Sequence, residues 1–190
     1  MSTALANAYT DAYFEAVASR RLRHAAVTLN ALQAGVRIRG LEDLRAGQAV
    51  FHDLTNTGLR RHGIDVPEVT PKDAGRQLAE ISSTHAFTLF EFFQTDLAGH
   101  GRAGDPIEVV ERLDALLGGI LDAADLRETL VLVTSDHGNL EDGGTRAHTL
   151  NPVPALLIGA GRRDLAPRLR AITDVAPACV DLLTAGVPVP

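Results

Sequence analysis

Leu130-Val131-Leu132-Val133-Thr134-Ser135-Asp136-His137-Gly138-Asn139 is the stretch from which the fold of this chain is read. A short aliphatic run stops abruptly at a polar segment containing a carboxylate, an imidazole and turn formers. Such a run, bounded by turn residues, reads as a buried strand. Open α/β sheets collect their ligands beyond the carboxyl ends of strands, so Asp136 and His137 stand where chemistry is placed. Two further segments repeat the arrangement. Phe87-Thr88-Leu89-Phe90-Glu91-Phe92-Phe93 reads as a strand that runs into Thr95-Asp96-Leu97-Ala98-Gly99-His100. Arg146-Ala147-His148-Thr149-Leu150-Asn151-Pro152-Val153 leads into a third strand, Pro154-Ala155-Leu156-Leu157-Ile158, ended by Gly159.

Working outward, Asp105-Pro106 opens an amphipathic helix through Leu121, with Val109, Val110, Leu113, Leu116 and Leu117 at core spacing. Thr173-Asp174-Val175-Ala176-Pro177 starts a last helix through Leu183. Strand, helix, strand, strand, helix from residue 86 onward predicts an α/β domain, three-layered, with a largely parallel sheet flanked by helices. A sheet of three strands is small, and this points to an incomplete version of the architecture. Upstream, residues 11–19, 23–34, 41–46 and 54–61 carry short helical patterns, with Gly35 as a stop signal. Thr70-Pro71-Lys72-Asp73 supplies an N-cap, a first-turn proline and an early acid for a helix to about His85. The expected division is a helical cap or insert over residues 1–85 and a metal-binding α/β core over 86–190.

Composition narrows the function classes. The 190 residues suffice for one ordinary domain, and 45% hydrophobic with 22% charged residues is normal for a globular protein. A net charge of -6 argues against a nucleic-acid partner. The longest apolar runs fall well short of the ~20 residues of a membrane helix, and the first residues lack the basic start and apolar core of a signal peptide. One cysteine, Cys179, rules out an intramolecular disulfide and any Cys-rich zinc site. It reads as a packed thiol in a reducing compartment, and the expected location is the cytoplasm.

Any metal must therefore be held by histidines and carboxylates, a donor set that suits Zn²⁺, Mn²⁺ or Fe²⁺ better than Ca²⁺ or Mg²⁺. Asp96, His100, Asp136, His137 and His148 would overfill one tetrahedral site and better match two metals. Taken singly, each has a plain structural reading. Asp96 and His100 make an ordinary hydrogen-bonded pair, and Gly138 and Asn139 are common turn residues. Three ligand-bearing segments in order, each beside a strand, favour a site. In the first third, His52 and Asp53 of Phe51-His52-Asp53-Leu54-Thr55-Asn56 either reach a substrate or cap the following helix, with the cap preferred.

Thr134-Ser135-Asp136-His137-Gly138-Asn139-Leu140-Glu141, followed by His148-Thr149-Leu150-Asn151-Pro152-Val153-Pro154, resembles the C-terminal signature of cofactor-independent phosphoglycerate mutases. Asp96-Leu97-Ala98-Gly99-His100 is similar to their Asp-x-x-Gly-His motif. Thr173–Pro177 with Asp181-Leu182-Leu183 resembles the last helix of the wider alkaline phosphatase superfamily. The resemblance covers about residues 86–185. It implies an alkaline-phosphatase-like fold with two divalent ions, Mn or Zn, and a small phosphorylated substrate. Asp96, His100 and His148 would hold one ion, Asp136 and His137 the other.

The family's N-terminal Asp and Ser or Thr nucleophile have no counterpart in this sequence, and its large substrate domain is missing too. Ser2 and Thr3 neither follow a strand nor open a helix, so neither is taken as the nucleophile. The implied function is phosphoryl transfer, as phosphatase or phosphomutase, with the nucleophile supplied by an N-terminal segment or partner chain. The alternative is a catalytically inactive module that binds metal or a subunit, with a homodimer formed at an exposed sheet edge. A purely structural role for the five ligands ranks last.

Overall fold

The computed structural model describes residues 1–184. The chain forms two compact units: Met1–Gln94 with Ile107–Ala123, and Thr95–Pro106 with the chain from Ala124 onward.

The first unit is built around a strand that the apolar patterning does not announce. β1 (Thr3–Leu5) pairs in parallel with β2 (Phe87–Leu89), in the register Thr3↔Phe87, Ala4↔Thr88 and Leu5↔Leu89. Beyond Leu89 the ladder is continued by a side chain. Asn7 Nδ2 donates to the Glu91 carbonyl at 2.8 Å, and Asn7 Oδ1 accepts the Glu91 N–H at 2.9 Å. The expected strand over 87–93 is thus shorter, because an amide side chain takes over its last pairing. Ala4, Leu5, Ala6 and Val50 along this line are almost wholly buried.

Around it lie α1 (Asp11–Ala18), α2 (Ala26–Gln33), α3 (Leu41–Arg45), α4 (Thr57–Arg61) and α5 (Pro71–Ser83). Gly35 takes φ +68 just past α2, a conformation open to glycine without a Cβ penalty. α4 starts later than its apolar pattern predicts, since Leu54 and Asn56 adopt φ +63 and +62. In α5, Thr70 Oγ1 accepts the Asp73 N–H at 3.1 Å, and Ala74, Leu78, Ala79 and Ile81 are buried. α7 (Pro106–Ala123) packs against α5 with almost no space. A Cβ on Gly119 would lie 1.9 Å from the Lys72 carbonyl oxygen, and one on Gly75 2.1 Å from that of Leu116.

The second unit contains α6 (Gln94–Gly99) from Thr95 onward, β3 (Leu130–Thr134) and β4 (Ala155–Gly159). It continues with α8 (Arg162–Leu165), two 3₁₀ turns (Ala166–Arg168 and Ile172–Asp174) and α9 (Val175–Thr184). The α/β class holds, but the pairing corrects the expectation of one largely parallel sheet. Among the described residues there are two two-stranded sheets, β1–β2 parallel and β3–β4 antiparallel, the latter from Leu130↔Gly159 to Thr134↔Ala155. A parallel return needs a crossover, usually helical. No helix lies between β3 and β4, so the chain doubles back. Gly159, at φ +100, brings the end of β4 so close to the Thr129 carbonyl that a Cβ would lie 2.1 Å away. Asp174 accepts the N–H groups of Arg170 and Ala171 at 2.9 and 2.8 Å ahead of α9, which holds its carboxyl below its ordinary range. Cys179 is half-buried on α9, and burial pushes its thiol up. No helix of the described residues is long and apolar enough to cross a membrane.

Candidate metal centre

Asp96 lies in the first turn of α6, where the helix dipole favours a carboxylate. His100 follows one turn later, its N–H donating to the Asp96 carbonyl at 3.0 Å. Positions i and i+4 of a helical turn share a face, so the two side chains meet: His100 Nε2 is 3.2 Å from Asp96 Oδ1. The loop before β4 brings His148, whose Nε2 lies 3.2 Å from the same oxygen and 3.1 Å from His100 Nε2. These three donor atoms form a compact triangle.

His100 is held in a defined tautomer. Its Nδ1 is 2.6 Å from the Arg146 carbonyl, which only accepts, so the ring proton sits on Nδ1 and Nε2 presents a lone pair. With neutral imidazoles, the single proton that His148 Nε2 can carry then faces two acceptors, Asp96 Oδ1 and His100 Nε2. A cation satisfies all three. An ion held about 2.0–2.1 Å from such ligands in tetrahedral geometry sets them roughly 3.3–3.5 Å apart, close to the separations found here. The residues fit a divalent metal, and the orienting carbonyl behind His100 is the kind of support that metal-bound histidines use.

His137, after β3, lies beside this triangle. Its ring stacks on His148 at a centroid separation of 3.6 Å and 16° between planes. Its Nε2 is 3.8 Å from Asp96 Oδ1 and 3.5 Å from Asp136 Oδ1. The Asp136 side chain is 85% exposed and, among the described residues, pairs with His137 alone. Asp96, His100 and His148 are the group of three that converges among the described residues, while Asp136 and His137 form a pair at its flank.

The loops carrying these ligands are locked by residues that read as turn formers in sequence. Gly138 and Thr149 form an antiparallel bridge, with the Thr149 N–H donating to the Gly138 carbonyl at 2.8 Å. Glu141 accepts the Asn139 N–H at 2.6 Å, Asn151 Nδ2 at 3.0 Å and the Thr149 hydroxyl. The Thr149 hydroxyl is the largest cause that brings its carboxyl down from 4.5 to about 2. Asn139 is only 4% exposed. Its Nδ2 donates to the Ala147 carbonyl at 3.2 Å, and its Oδ1 is buried without a hydrogen-bond partner among the described residues. A Cβ on Gly99 would lie 1.4 Å from that Oδ1. Asn139 therefore touches the neighbours of both His100 and His148. The adjacency of Gly99 and Asn139 is a tertiary fact with no local sequence signal.

His52 and Asp53 belong to the first unit. Asp53 Oδ1 accepts the Thr55 and Asn56 N–H groups at 3.0 and 2.7 Å, and Oδ2 accepts the Gly58 N–H at 2.7 Å. His52 stacks on Phe93 at 4.6 Å, its Nδ1 lies 2.7 Å from Gln94 Nε2, and burial lowers its pKa.

A family model described as Metalloenzyme superfamily matches residues 62–185, most of this chain. The chain belongs to the metalloenzyme superfamily. Relatives carry the name 2,3-bisphosphoglycerate-independent phosphoglycerate mutase. That of Desulforudis audaxviator is 34% identical over 131 residues, 65% of this chain and 25% of the relative. That of Thermomicrobium roseum is 35% identical over 139 residues, covering 67% and 26%, and that of Moorella thermoacetica 33% over 124 residues, covering 62% and 24%. This superfamily member thus spans about a quarter of the length of these relatives. No solved structure matches it.

Proposed function

We propose that this chain is the metal-holding part of a divalent-metal-dependent phosphoryl-transfer enzyme, a phosphatase or phosphomutase acting on a small phosphorylated substrate in the cytoplasm. The observation that carries the reading is the convergence of Asp96 Oδ1, His100 Nε2 and His148 Nε2. Superfamily membership and the mutase relatives support it. These three residues hold one Mn or Zn ion, and Asp136 with His137 offers two ligands toward a second. A bound divalent ion supplies positive charge for the phosphoryl oxygens as negative charge develops on them. The chain's own residues orient this set: the Arg146 carbonyl fixes the His100 ring, and Asn139 and Glu141 hold the loops of His137 and His148.

The nucleophilic hydroxyl comes from elsewhere. Ser135 donates its proton to the His137 carbonyl at 2.8 Å and Thr149 donates to Glu141, so these two hydroxyls serve the loop. We assign the nucleophile, and the remaining ligand of the second ion, to an N-terminal segment or partner chain. Co-expression with the segment encoded directly upstream tests this. The pair is expected to hydrolyse p-nitrophenyl phosphate in the presence of Mn²⁺ or Zn²⁺, and an inert pair that still binds metal would sink the enzymatic reading.

That outcome would favour the second reading, a metal-binding subunit-interaction module. Its supporting observation is that β3 and β4 pair only with each other among the described residues, leaving an open edge on each for a partner chain or a second copy.

A further inference from the structure

We propose that Arg146 is the anion receptor of this centre, its guanidinium gripping the non-bridging oxygens of a phosphoryl group bound beside Asp96, His100 and His148. The inference rests on the metal-site reading above and adds a residue to it. Arg146 stands two positions before His148, and its carbonyl accepts the Nδ1–H of His100 at 2.6 Å. Its backbone is therefore tied to two of the three ligands.

Its side chain folds back over Gly101, the residue after His100. A Cβ built on Gly101 would lie 3.3 Å from Cζ, 3.4 Å from Nε and 3.6 Å from Nη1 of Arg146. Gly101 adopts φ +69, so the absence of a side chain there serves both the turn and the seat of the guanidinium.

The guanidinium has no hydrogen bond or ion pair among the described residues. Four other arginines of the same unit are engaged, while Arg102 and Arg163 also lack a side-chain partner among the described residues but do not flank a ligand loop with their guanidinium seated on Gly101. Arg127 pairs with Asp125, Arg168 with Asp181, Arg162 donates to the Gly159 carbonyl, and Arg170 Nε donates to that of Pro167. The acids nearest Arg146 in sequence are also committed: Glu141 to its three donors, Asp142 to the Gly144 N–H. A planar fork of donors seated beside a metal-ligand triangle, with no protein anion to meet, matches the geometry of a phosphate.

The test is calorimetry on the full chain, first with Mn²⁺ alone and then, for the Mn²⁺-loaded protein, with inorganic phosphate. Arg146→Ala is expected to weaken phosphate binding about tenfold or more, with Arg146→Lys between it and the parent. Mn²⁺ affinity is expected to stay at the parent value in both, because the contact to His100 is made by the backbone. Arg163→Ala, at another exposed arginine whose guanidinium has no partner among the described residues, controls for net charge and is expected to bind phosphate like the parent. Unchanged phosphate affinity in Arg146→Ala would overturn the proposal. So would an equal loss in Arg163→Ala or Arg102→Ala, or a loss of Mn²⁺ affinity in Arg146→Ala. Failure of the parent to take up Mn²⁺ would sink the metal-site reading itself, a result distinct from Mn²⁺ uptake without an effect of Arg146.

Discussion

Asp53 and Asp96 are the same residue type in two regions with opposite surroundings. Asp53 spends its carboxylate on three backbone N–H groups, those of Thr55, Asn56 and Gly58, and so closes the turn into α4. Asp96 Oδ1 instead has the Nε2 atoms of His100, His148 and His137 around it, at 3.2, 3.2 and 3.8 Å. The histidines differ in the same way. His52 is packed between Phe51 and Phe93, whereas the His148 side chain remains half exposed. A carboxylate with three backbone donors already has its hydrogen bonds, and one ringed by imidazole nitrogens is the one we propose to hold a cation. The difference lies in what meets the oxygen, not in the Asp-plus-His composition that both regions share.

The contrast breaks most visibly at metal affinity. Replacing His148 with Ala removes one corner of the triangle and is expected to weaken Mn²⁺ or Zn²⁺ binding by about 100-fold or more. His52→Ala should leave it unchanged; equal effects in titration calorimetry would erase the distinction. Next in size is Gly99→Ala, which drives a Cβ into the buried Asn139 side chain and is expected to cost about 2 kcal/mol in denaturant unfolding. Gly104→Ala, where a Cβ meets nothing within 4 Å, is the matched control. Asp53→Ala strips the three N–H groups of their acceptor and should cost about 1 kcal/mol while metal affinity holds. A loss of metal binding in that variant would contradict its structural role.

The smallest effect concerns pH. Glu141 has a folded pKa of about 2, below its ordinary 4.5. Its contribution is therefore fully present above about 4.5 and is lost as the pH falls toward 2. Glu141→Gln should flatten that acid limb in a pH series of thermal unfolding. An unchanged limb would mean that other carboxylates set it.

Much of the secondary structure was legible because it is local. The caps, stops and apolar spacing that predicted α1, α5, α7, β3 and α9 act within a few residues, and each element lies where its pattern indicates. β1 was not legible, since Thr3–Leu5 is too short to show a period and its partner lies 84 positions away. The delayed start of α4 escaped because Leu54 and Asn56 adopt positive φ in the turn where Asp53 gathers three N–H groups; Asn tolerates that conformation, but nothing local marks Leu54 for it. Continuous apolar strands suggested a parallel sheet covered on both faces, yet β3 and β4 are only partly buried and run antiparallel.

The sequence by itself determined which residues are candidate metal donors and the order of the segments that present them, because donor type and strand-loop succession are properties of the chain. Only the tertiary structure decided that Asp96, His100 and His148 form one triangle with Asp136 at its edge. Only there do Asn139 and Gly99 meet, the Arg146 carbonyl select the proton-bearing nitrogen of His100, and its guanidinium stay without an anion among the described residues. These are contacts between segments distant along the chain. They depend on separations between segments that packing fixes and residue order does not.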